Sequence, residues 1–309
     1  GPEPAAARAR SAAEQGGALA AEIFARHHIE VDTAGISVWV TPRRIAIFIK
    51  QLSDMQQTRE IVERGPVAAK AFDENGKPTR AAEGFARAKG IAPEQLEVRE
   101  HDGQQFVFAV QSREGQPTLE LVPGVCQEIL MGISFNKTMR WDSADMRFSR
   151  PLRWLVTKYG SQTVVYETAG ISSGSVSRGH RFLADTEVEI NDASGYRSLM
   201  ETARVIVDQE VRRETILAGL AVESGKRGAS FIDPAGELEE VIYLVENPSV
   251  HAGDFSEEHL RLPERVLTTC MQSHQRYFPL ISENGSLAAG FLYVMNGDPG
   301  CAPGITEGN

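Results

Sequence analysis

Branched aliphatic residues recur at every second position, first at Ile36, Val38 and Val40 and then at Ile45, Ile47 and Ile49, and the corner between the two segments is Thr41-Pro42-Arg43-Arg44. This period of two predicts a pair of strands joined at a polar turn. Over residues 122–133 the apolar residues recur instead at spacings of three and four, which predicts one apolar face of a helix. Such changes of period over short distances are typical of an α+β or mixed α/β fold made of several small modules.

The same patterns predict further elements along the chain. The Ala-rich stretch 4–28 favours a helix, which we expect Gly16-Gly17 to interrupt. Two later helices are indicated by apolar stripes, the first at Leu238, Val241, Ile242 and Val245 and the second at Val266, Cys270 and His274. The remaining predictions are helices over 80–89, 196–203 and 210–224, strands over 187–190, 204–207 and 291–295, a hairpin around 101–103, and a β-rich hairpin formed by 150–159 and 163–168.

Turn signals and composition divide the chain into four parts. Residues 1–57 hold the N-terminal helix and the two strands, and residues 58–115 form a small inserted α+β module. Residues 116–246 form a mixed α/β core that is rich in basic residues, and residues 247–309 form a C-terminal α+β segment. Gly1-Pro2 is typical of a protease-cleavage scar, so we interpret the chain as a fragment of a longer protein.

Composition excludes several classes of protein. Hydrophobic residues make up 41% and charged residues 24% of the 309 residues, which is ordinary for a folded globular chain. No apolar run reaches the roughly 18 residues of a membrane span, and no secretory signal is visible. The three cysteines are far apart and odd in number, which favours a reducing compartment. We therefore expect a cytoplasmic protein with no membrane partner.

Two segments resemble catalytic motifs without completing them. Gly219 and Gly225 suggest a phosphate-binding loop, but five residues separate them instead of four, and no Ser or Thr follows Lys226. Gly170-Ile171-Ser172-Ser173-Gly174 fits the G-x-S-x-G nucleophile pattern, but no helical periodicity follows it. A serine hydrolase that uses Ser172 with His180 or His274 stays open as a minor alternative. Because neither motif is complete, we expect no catalytic residue in this chain. The histidines show no metal-ligand spacing, so we also expect no metal site.

The distribution of charge indicates a different kind of partner. The chain carries a net charge of −10, yet the segment 137–181 holds eight basic and three acidic residues. Its arginines stand beside aromatic residues, which suits RNA because guanidinium groups bind phosphate oxygens while aromatic rings stack on unpaired bases. Internal salt bridges are the alternative role for each arginine. The candidate RNA-binding residues are Arg140, Arg147, Arg150, Arg153, Arg178 and Arg181.

Eight short motifs follow one another along the chain: Thr41-Pro42-Arg43-Arg44, Ala81-Ala82-Glu83-Gly84-Phe85-Ala86-Arg87, Met139-Arg140-Trp141, Arg147-Phe148, Arg150-Pro151-Leu152-Arg153-Trp154-Leu155, Arg178-Gly179-His180-Arg181-Phe182, Glu246-Asn247-Pro248 and His274-Gln275-Arg276-Tyr277-Phe278-Pro279. In their order and approximate spacing, from about residue 41 to residue 309, the chain resembles the beta-subunit family of bacterial two-chain glycine-tRNA ligases. The combination is far more specific than any single motif.

The resemblance implies a division of labour between two chains. The alpha chain of such enzymes is a class II catalytic unit that makes glycyl-adenylate from ATP and glycine, and the beta chain binds tRNA and holds the assembly together. We therefore expect this chain to bind glycine tRNA and an alpha subunit in an assembly of two alpha and two beta chains. It would hold no cofactor and would be inactive alone, with ATP and magnesium in the alpha subunit. The alternative is a scaffold for the alpha chain that does not contact RNA.

The resemblance also bears on fold. It implies that part of the chain is similar to a domain of the phenylalanine-tRNA ligase beta chain. It further implies that the full-length protein continues into HD-type helical and anticodon-binding domains.

Other motif residues are expected to serve the structure. Arg43 and Arg44 lie at a strand corner, where carboxylates or backbone carbonyls commonly hold arginines. His274 shares an apolar helical stripe, so we expect a hydrogen-bonded core residue instead of a catalyst. Tryptophans are more often core residues than base platforms. The remaining structural or motif residues are Trp141, Trp154, His180 and Tyr277.

Overall fold

The computed structural model describes residues 5–140 and 147–302. They form a mixed α+β fold, as the periodicity predicts. The chain divides into two compact units, which are described separately: the first comprises residues 1–26, 31–52 and 122–309, and the second comprises residues 27–30 and 53–121. The fourfold division drawn from the sequence stays a prediction, as does the similarity to phenylalanine-tRNA ligase.

The first unit begins with a helix, Ala5–Arg26, packed on the predicted hairpin. Strands Ile36–Thr41 and Arg44–Ile49 pair antiparallel, with Thr41 opposite Arg44, so the polar corner is a tight turn. The expected interruption at Gly16-Gly17 is wrong, because the helix runs through both glycines. A Cβ atom at Gly16 would lie 3.2 Å from a Val38 methyl carbon, so the missing side chain allows the close approach of helix and hairpin.

The largest sheet of the first unit has four antiparallel strands in the order Ala229–Phe231, Phe278–Ser282, Leu287–Met295 and Ser249–Asp254. Helix Gln209–Lys226 packs on this sheet, and Ile216 and Leu220 are buried in the same hydrophobic core as Phe278 and Leu292. The predicted helix over 210–224 and the predicted strand over 291–295 are therefore confirmed.

Apart from helix Thr118–Gly132, the remaining helices and strands of the first unit are short. The predicted helices near 122–133 and 196–203 are present, although the first begins within the second unit, while the Leu238 stripe forms only one turn. The helices are Thr118–Gly132, Tyr196–Thr202, Glu237–Val241, Glu264–Thr269, a π-helical turn Cys270–His274, and 3-10 turns Thr33–Gly35, Ala193–Gly195, Glu257–Arg261 and Pro299–Cys301. The strands are Met139–Arg140, Arg147–Phe148, Leu155–Val156, Lys158–Tyr159, Gln162–Thr163, Glu167–Thr168, Ile171–Gly174, Val176–Arg178 and Glu187–Glu189.

The second unit is a three-stranded antiparallel sheet with two helices, Ala68–Ala71 and Arg80–Lys89, and a 3-10 turn Pro93–Gln95. The strand order is Arg59–Val67, Gln104–Arg113, Leu96–His101. Asp102 and Gly103 both have positive φ, which produces the predicted hairpin turn. The helix over 80–89 is also confirmed, and its Ala82 and Ala86 are buried with Val107 and Ala109 of the sheet.

The predicted strand over 204–207 is wrong. Arg204 has a φ of 60°, and the backbone N–H of Ile206 donates to the carbonyl of Glu246. The carbonyls of Ile206 and Val207 accept hydrogen bonds from the guanidinium of Arg212, which is fully buried. These polar groups are therefore satisfied by a buried side chain and a loop instead of a neighbouring strand.

Two other sequence interpretations need correction. The stripe of Val266 and Cys270 does not face the core, because 54% of Val266 and much of Cys270 are exposed while Leu267 and Met271 pack inward. The change from α-helical to π-helical winding at Cys270 alters which residues share a face. In the segment 150–168, pairing begins only at residue 155, and Leu155–Val156 pairs in parallel with Ser173–Gly174. The hairpin is confined to Lys158–Tyr159 and Gln162–Thr163.

Among the described residues, no helix combines the length and the apolar character needed to cross a membrane.

Candidate functional site

A buried carboxylate, Glu246, holds the corner between the first two strands. Its side chain is 1% exposed, and its Oε1 accepts hydrogen bonds from Thr41 Oγ1 at 2.7 Å and from Arg44 Nε at 2.9 Å. Arg43 Nη1 lies 3.7 Å from Oε2 of the same carboxylate. Glu246 stands in one of the sequence motifs, but its pairing with the corner was not predictable, because about 200 residues separate them in the chain.

The same two arginines hold a second segment by its backbone. Arg44 Nη1 donates to the carbonyl of Arg178 at 2.7 Å, and Arg43 Nη1 donates to the carbonyl of Gly179 at 3.3 Å. The ring centroid of Trp154 lies 5.8 Å from the guanidinium carbon of each arginine, within cation–π range. Arg43 and Arg44 thus have the carboxylate and carbonyl partners expected of turn arginines. That neither contacts RNA stays a prediction.

An asparagine that the sequence analysis missed completes the network. Asn296 Oδ1 accepts hydrogen bonds from the backbone N–H groups of Glu246 and Asn247 at 2.8 and 3.1 Å. It lies 2.9 Å from Nε2 of the buried His180, whose Nδ1 accepts from the N–H groups of Phe182 and Leu183. Because Nδ1 accepts, the proton of neutral His180 is on Nε2, and that nitrogen donates to Asn296. The network joins four loops that are distant in sequence.

Three of the six candidate arginines lie around this corner. Arg150 Nη1 lies 3.4 Å from the carbonyl oxygen of Pro42, to which it donates, and Arg178 follows from its backbone contact with Arg44. Burial lowers the pKa of Arg43, Glu246 opposes that shift, and the nearby positive charges of Arg44 and Arg181 lower the pKa further. We call Arg150, Arg178 and Arg181 the corner surface.

Individual side chains of the corner surface have neighbours of their own. The Arg178 guanidinium lies 3.6 Å from Glu187, with both side chains about half exposed or more, so this pair is weak. The guanidinium carbon of Arg181 lies 5.5 Å from the ring centroid of the exposed Phe182. The surface is therefore positive but not a uniform array of free cations.

The other three candidate arginines are Arg140, Arg147 and Arg153. Arg140 and Arg147 lie opposite each other on the pair Met139–Arg140 and Arg147–Phe148, and Arg153 is exposed. Their membership of a single basic surface stays a prediction. Trp141 lies outside the described residues. Tyr277 is buried and stacks on Phe291 with ring centroids 4.5 Å apart, and His274 ends the π-helical turn.

The serine motif does not have the surroundings of a hydrolase elbow. Strand Ile171–Gly174 is followed by strand Val176–Arg178, whereas the elbow requires a helix. The buried Ser173 donates to the carbonyl of Val164 and accepts from the N–H of Tyr166. Both ring nitrogens of His180 are engaged in the asparagine network. Gly219 and Gly225, which suggested a phosphate loop, lie within helix Gln209–Lys226.

Within the described ranges, no three histidine, cysteine or carboxylate side chains are grouped so that they could hold a metal ion.

Comparison with known sequences decides the family. The profile of the family described as glycyl-tRNA synthetase beta subunit matches residues 4–309. The chain belongs to this family. Its members include the glycine–tRNA ligase beta subunit of Moorella thermoacetica, which is 39% identical over 303 residues, or 96% of this chain and 43% of the relative. The beta subunit of Desulfitobacterium hafniense is 37% identical over 281 residues, or 91% of this chain and 41% of the relative.

A third relative, the glycine–tRNA ligase beta subunit of Trichlorobacter lovleyi, is 40% identical over 256 residues, or 83% of this chain and 37% of the relative. The chain spans about two-fifths of the length of these relatives. Three of the motifs on which the resemblance depends, at residues 41–44, 178–182 and 246–248, meet in the network around Glu246 and Asn296. The motifs of the glycyl-tRNA synthetase beta subunit family that meet here are thus held together by one buried set of hydrogen bonds.

Proposed function

We propose that this chain is a tRNA-binding and assembly portion of a glycyl-tRNA synthetase beta subunit. In this proposal the alpha subunit uses ATP and magnesium to attach glycine to its tRNA in the cytoplasm. The beta chain supplies contacts to the tRNA backbone and to the alpha chain, in an assembly of two chains of each kind. Family membership and the names of the relatives support the proposal.

The position of Arg150, Arg178 and Arg181 around the strand corner carries the RNA-binding part of the proposal. Glu246 neutralises the buried Arg44, and Arg43 lies at the edge of the same network with 27% of its side chain exposed. The outer arginines are therefore presented on a base of buried hydrogen bonds. Such an arrangement suits phosphate contacts, because phosphate binding requires cations at fixed positions and no sequence-specific groups.

A scaffold role is the second candidate, and an exposed apolar surface supports it. Leu260, Leu262 and Val266 are 37%, 48% and 54% exposed, and they lie on or beside adjacent turns, Glu257–Arg261 and Glu264–Thr269. Apolar residues grouped in this way are typical of protein contacts. In this interpretation the apolar surface binds the alpha chain and the corner surface has no RNA ligand.

Charge reversal separates the two roles. In the assembled alpha and beta enzyme, Arg150→Glu and Arg181→Glu should each weaken tRNA binding by about tenfold or more, while Arg80→Glu, at an exposed arginine outside the basic segment, should have a much smaller effect. Thermal melting and gel filtration check folding and assembly. Unchanged tRNA affinity in well-assembled Arg150→Glu and Arg181→Glu enzymes would reject the RNA-binding proposal and leave the scaffold.

A further inference from the structure

Phe182 is exposed to an unusual extent. Its exposed fraction, 70%, exceeds that of the other exposed large apolar side chains among the described residues. A single exposed apolar residue is ordinary on a protein surface and needs no explanation by itself. Phe182 differs in its surroundings, because it adjoins Arg181 of the corner surface and also lines a cavity.

The cavity has a volume of about 550 Å³ and mostly apolar walls. Tyr277 and Tyr293 supply aromatic wall, and Val241 and Leu244 supply aliphatic wall. The polar and charged residues that also line it are Gln275, Arg276, Asn296 and Asp298. A cavity of this size with apolar walls and a few polar groups is the usual form of a small-molecule or nucleotide site.

Hydrogen bonds place this cavity next to the corner surface. Asn296 lines the cavity and also holds the backbone of Glu246 and the ring of His180. His180 in turn fixes the backbone at Phe182 and Leu183 through Nδ1. The backbone of Phe182 is therefore held at the cavity, and the exposed ring lies beside the Arg181 guanidinium.

This juxtaposition matches the two parts of a nucleotide. Arginines bind the phosphates, and an aromatic ring offers a face on which any base can stack once it is unpaired. A base inside a helix could not reach a cavity, whereas a base from a loop or a strand end could. A free nucleotide has the same chemistry, but the several arginines around the corner favour a chain with several phosphates.

We propose that the cavity beside Phe182 binds one unpaired nucleobase of the tRNA, with the ring of Phe182 stacked on that base and Arg181 beside its phosphate. This inference rests on the proposed function, since it requires that tRNA reach the corner surface. It adds a stacking contact whose energy does not depend on counterion release.

The first test measures tRNA affinity of the assembled enzyme as a function of salt. Phe182→Ala should weaken binding by about fivefold or more, as expected for loss of one base–aromatic stack, and should leave the salt dependence unchanged. Phe182→Tyr should bind within about twofold of wild type because it keeps the aromatic face. Val165→Ala is the matched control, since Val165 is 67% exposed and does not line the cavity.

The result distinguishes failure of this inference from failure of the proposed function. Wild-type affinity in Phe182→Ala, together with weakened binding in Arg150→Glu, would overturn the base site and keep the RNA-binding proposal. Wild-type affinity in both variants would overturn both proposals. Equal weakening in Phe182→Ala and Phe182→Tyr would also contradict stacking.

A second test identifies what lies against the ring. The photoreactive residue p-benzoylphenylalanine at position 182 of the assembled enzyme should form an adduct with tRNA at a nucleotide that is unpaired in the tRNA fold. An adduct with a base-paired stem nucleotide would overturn the base site. An adduct with the alpha subunit alone would show that Phe182 is a protein contact. Binding of adenosine monophosphate that Phe182→Ala abolishes, with tRNA affinity unchanged in that variant, would assign the cavity to a free nucleotide instead.

Discussion

Arg44 and Glu246 form an ion pair whose side chains are only 4% and 1% exposed. A buried pair contributes little net stability compared with an apolar pair, but removing one partner leaves an uncompensated charge in the interior. Thr41, Arg43 and the backbone of residues 178 and 179 depend on the same geometry. The corner surface should therefore be sensitive to this pair even though neither group is exposed.

Glu246→Gln should lower the free energy of unfolding by about 3 kcal/mol, because Arg44 would stay buried without a counter-charge. Glu187→Gln is the control, since the Arg178–Glu187 pair is exposed and should contribute less than about 1 kcal/mol. Chemical denaturation of both variants measures the difference. Equal stability of the two variants would contradict the structural role of Glu246.

A second variant, Arg44→Ala, tests whether this arginine contacts RNA. If Arg44→Ala melts like wild type but loses tRNA binding, then Arg44 acts on RNA and its role is not structural.

Burial and apolar surroundings raise the pKa of the Cys126 thiol to about 11, with a partly compensating hydrogen bond to Tyr166. At neutral pH the thiol is therefore protonated, and thiolate is the reactive form. Cys270 and Cys301 are exposed. In the native protein, iodoacetamide should modify these two cysteines before Cys126, which is only partly exposed and whose thiol stays protonated. Peptide mapping by mass spectrometry checks the order, and modification of Cys126 before the other two would contradict its raised pKa.

At the scale of elements, Gly219 shows why a motif can be misleading. A Cβ atom at Gly219 would lie 2.5 Å from a Val250 methyl carbon, so this glycine allows helix Gln209–Lys226 to approach strand Ser249–Asp254. Gly225 in the same helix has no atom within 4 Å of the corresponding position. Of the two glycines that suggested a phosphate loop, Gly219 is needed for packing, whereas Gly225 is not.

Gly219→Ala should destabilise the protein by about 1–3 kcal/mol through overpacking. Gly225→Ala should be neutral or stabilise it by up to about 1 kcal/mol, because alanine has the higher helix propensity. Thermal and chemical unfolding of the two variants measure the contrast. Stabilisation by Gly219→Ala would mean that helix and strand are farther apart than described.

Elements with a clear local period were predictable, and elements defined by distant polar groups were not. The hairpin at 36–49 follows from the period of two around Pro42, and helix Arg80–Lys89 has the bounds that were predicted for it. The segment 204–207 has apolar residues of strand type, but the fully buried Arg212 takes its carbonyls. Helix Ala5–Arg26 continues through Gly16 because a neighbouring strand favours small residues there. Neither effect is visible in a local window.

For the whole molecule, the site was only partly predictable. Arginine density and the motifs indicate which side chains matter, but the convergence of residues 41–44, 178–182 and 246–248 depends on pairings across more than 130 positions. Asn296, which connects them, follows the strand Leu287–Met295 without any motif of its own. Its role emerges only when three donors are seen around one oxygen.

The proposed division of labour predicts that this chain alone shows no ATP–pyrophosphate exchange with glycine and does not aminoacylate tRNA. The described residues hold neither a phosphate loop nor a complete hydrolase elbow. Material purified without any alpha subunit should give background rates, and adding alpha and full-length beta subunits is the positive control. Exchange that follows this chain through purification would contradict the proposal.

The central claim is that the corner surface binds the tRNA backbone by charge, and the salt dependence of binding tests it most directly. The dissociation constant of assembled wild-type enzyme for glycine tRNA, measured over a range of salt concentrations, should rise steeply because each phosphate contact releases counterions. Arg150→Glu should weaken binding at low salt and reduce the slope of the log–log plot by about 1. Thermal melting confirms folding of both enzymes. Identical slopes and affinities for the two folded enzymes would contradict the account and assign the corner surface to a protein contact.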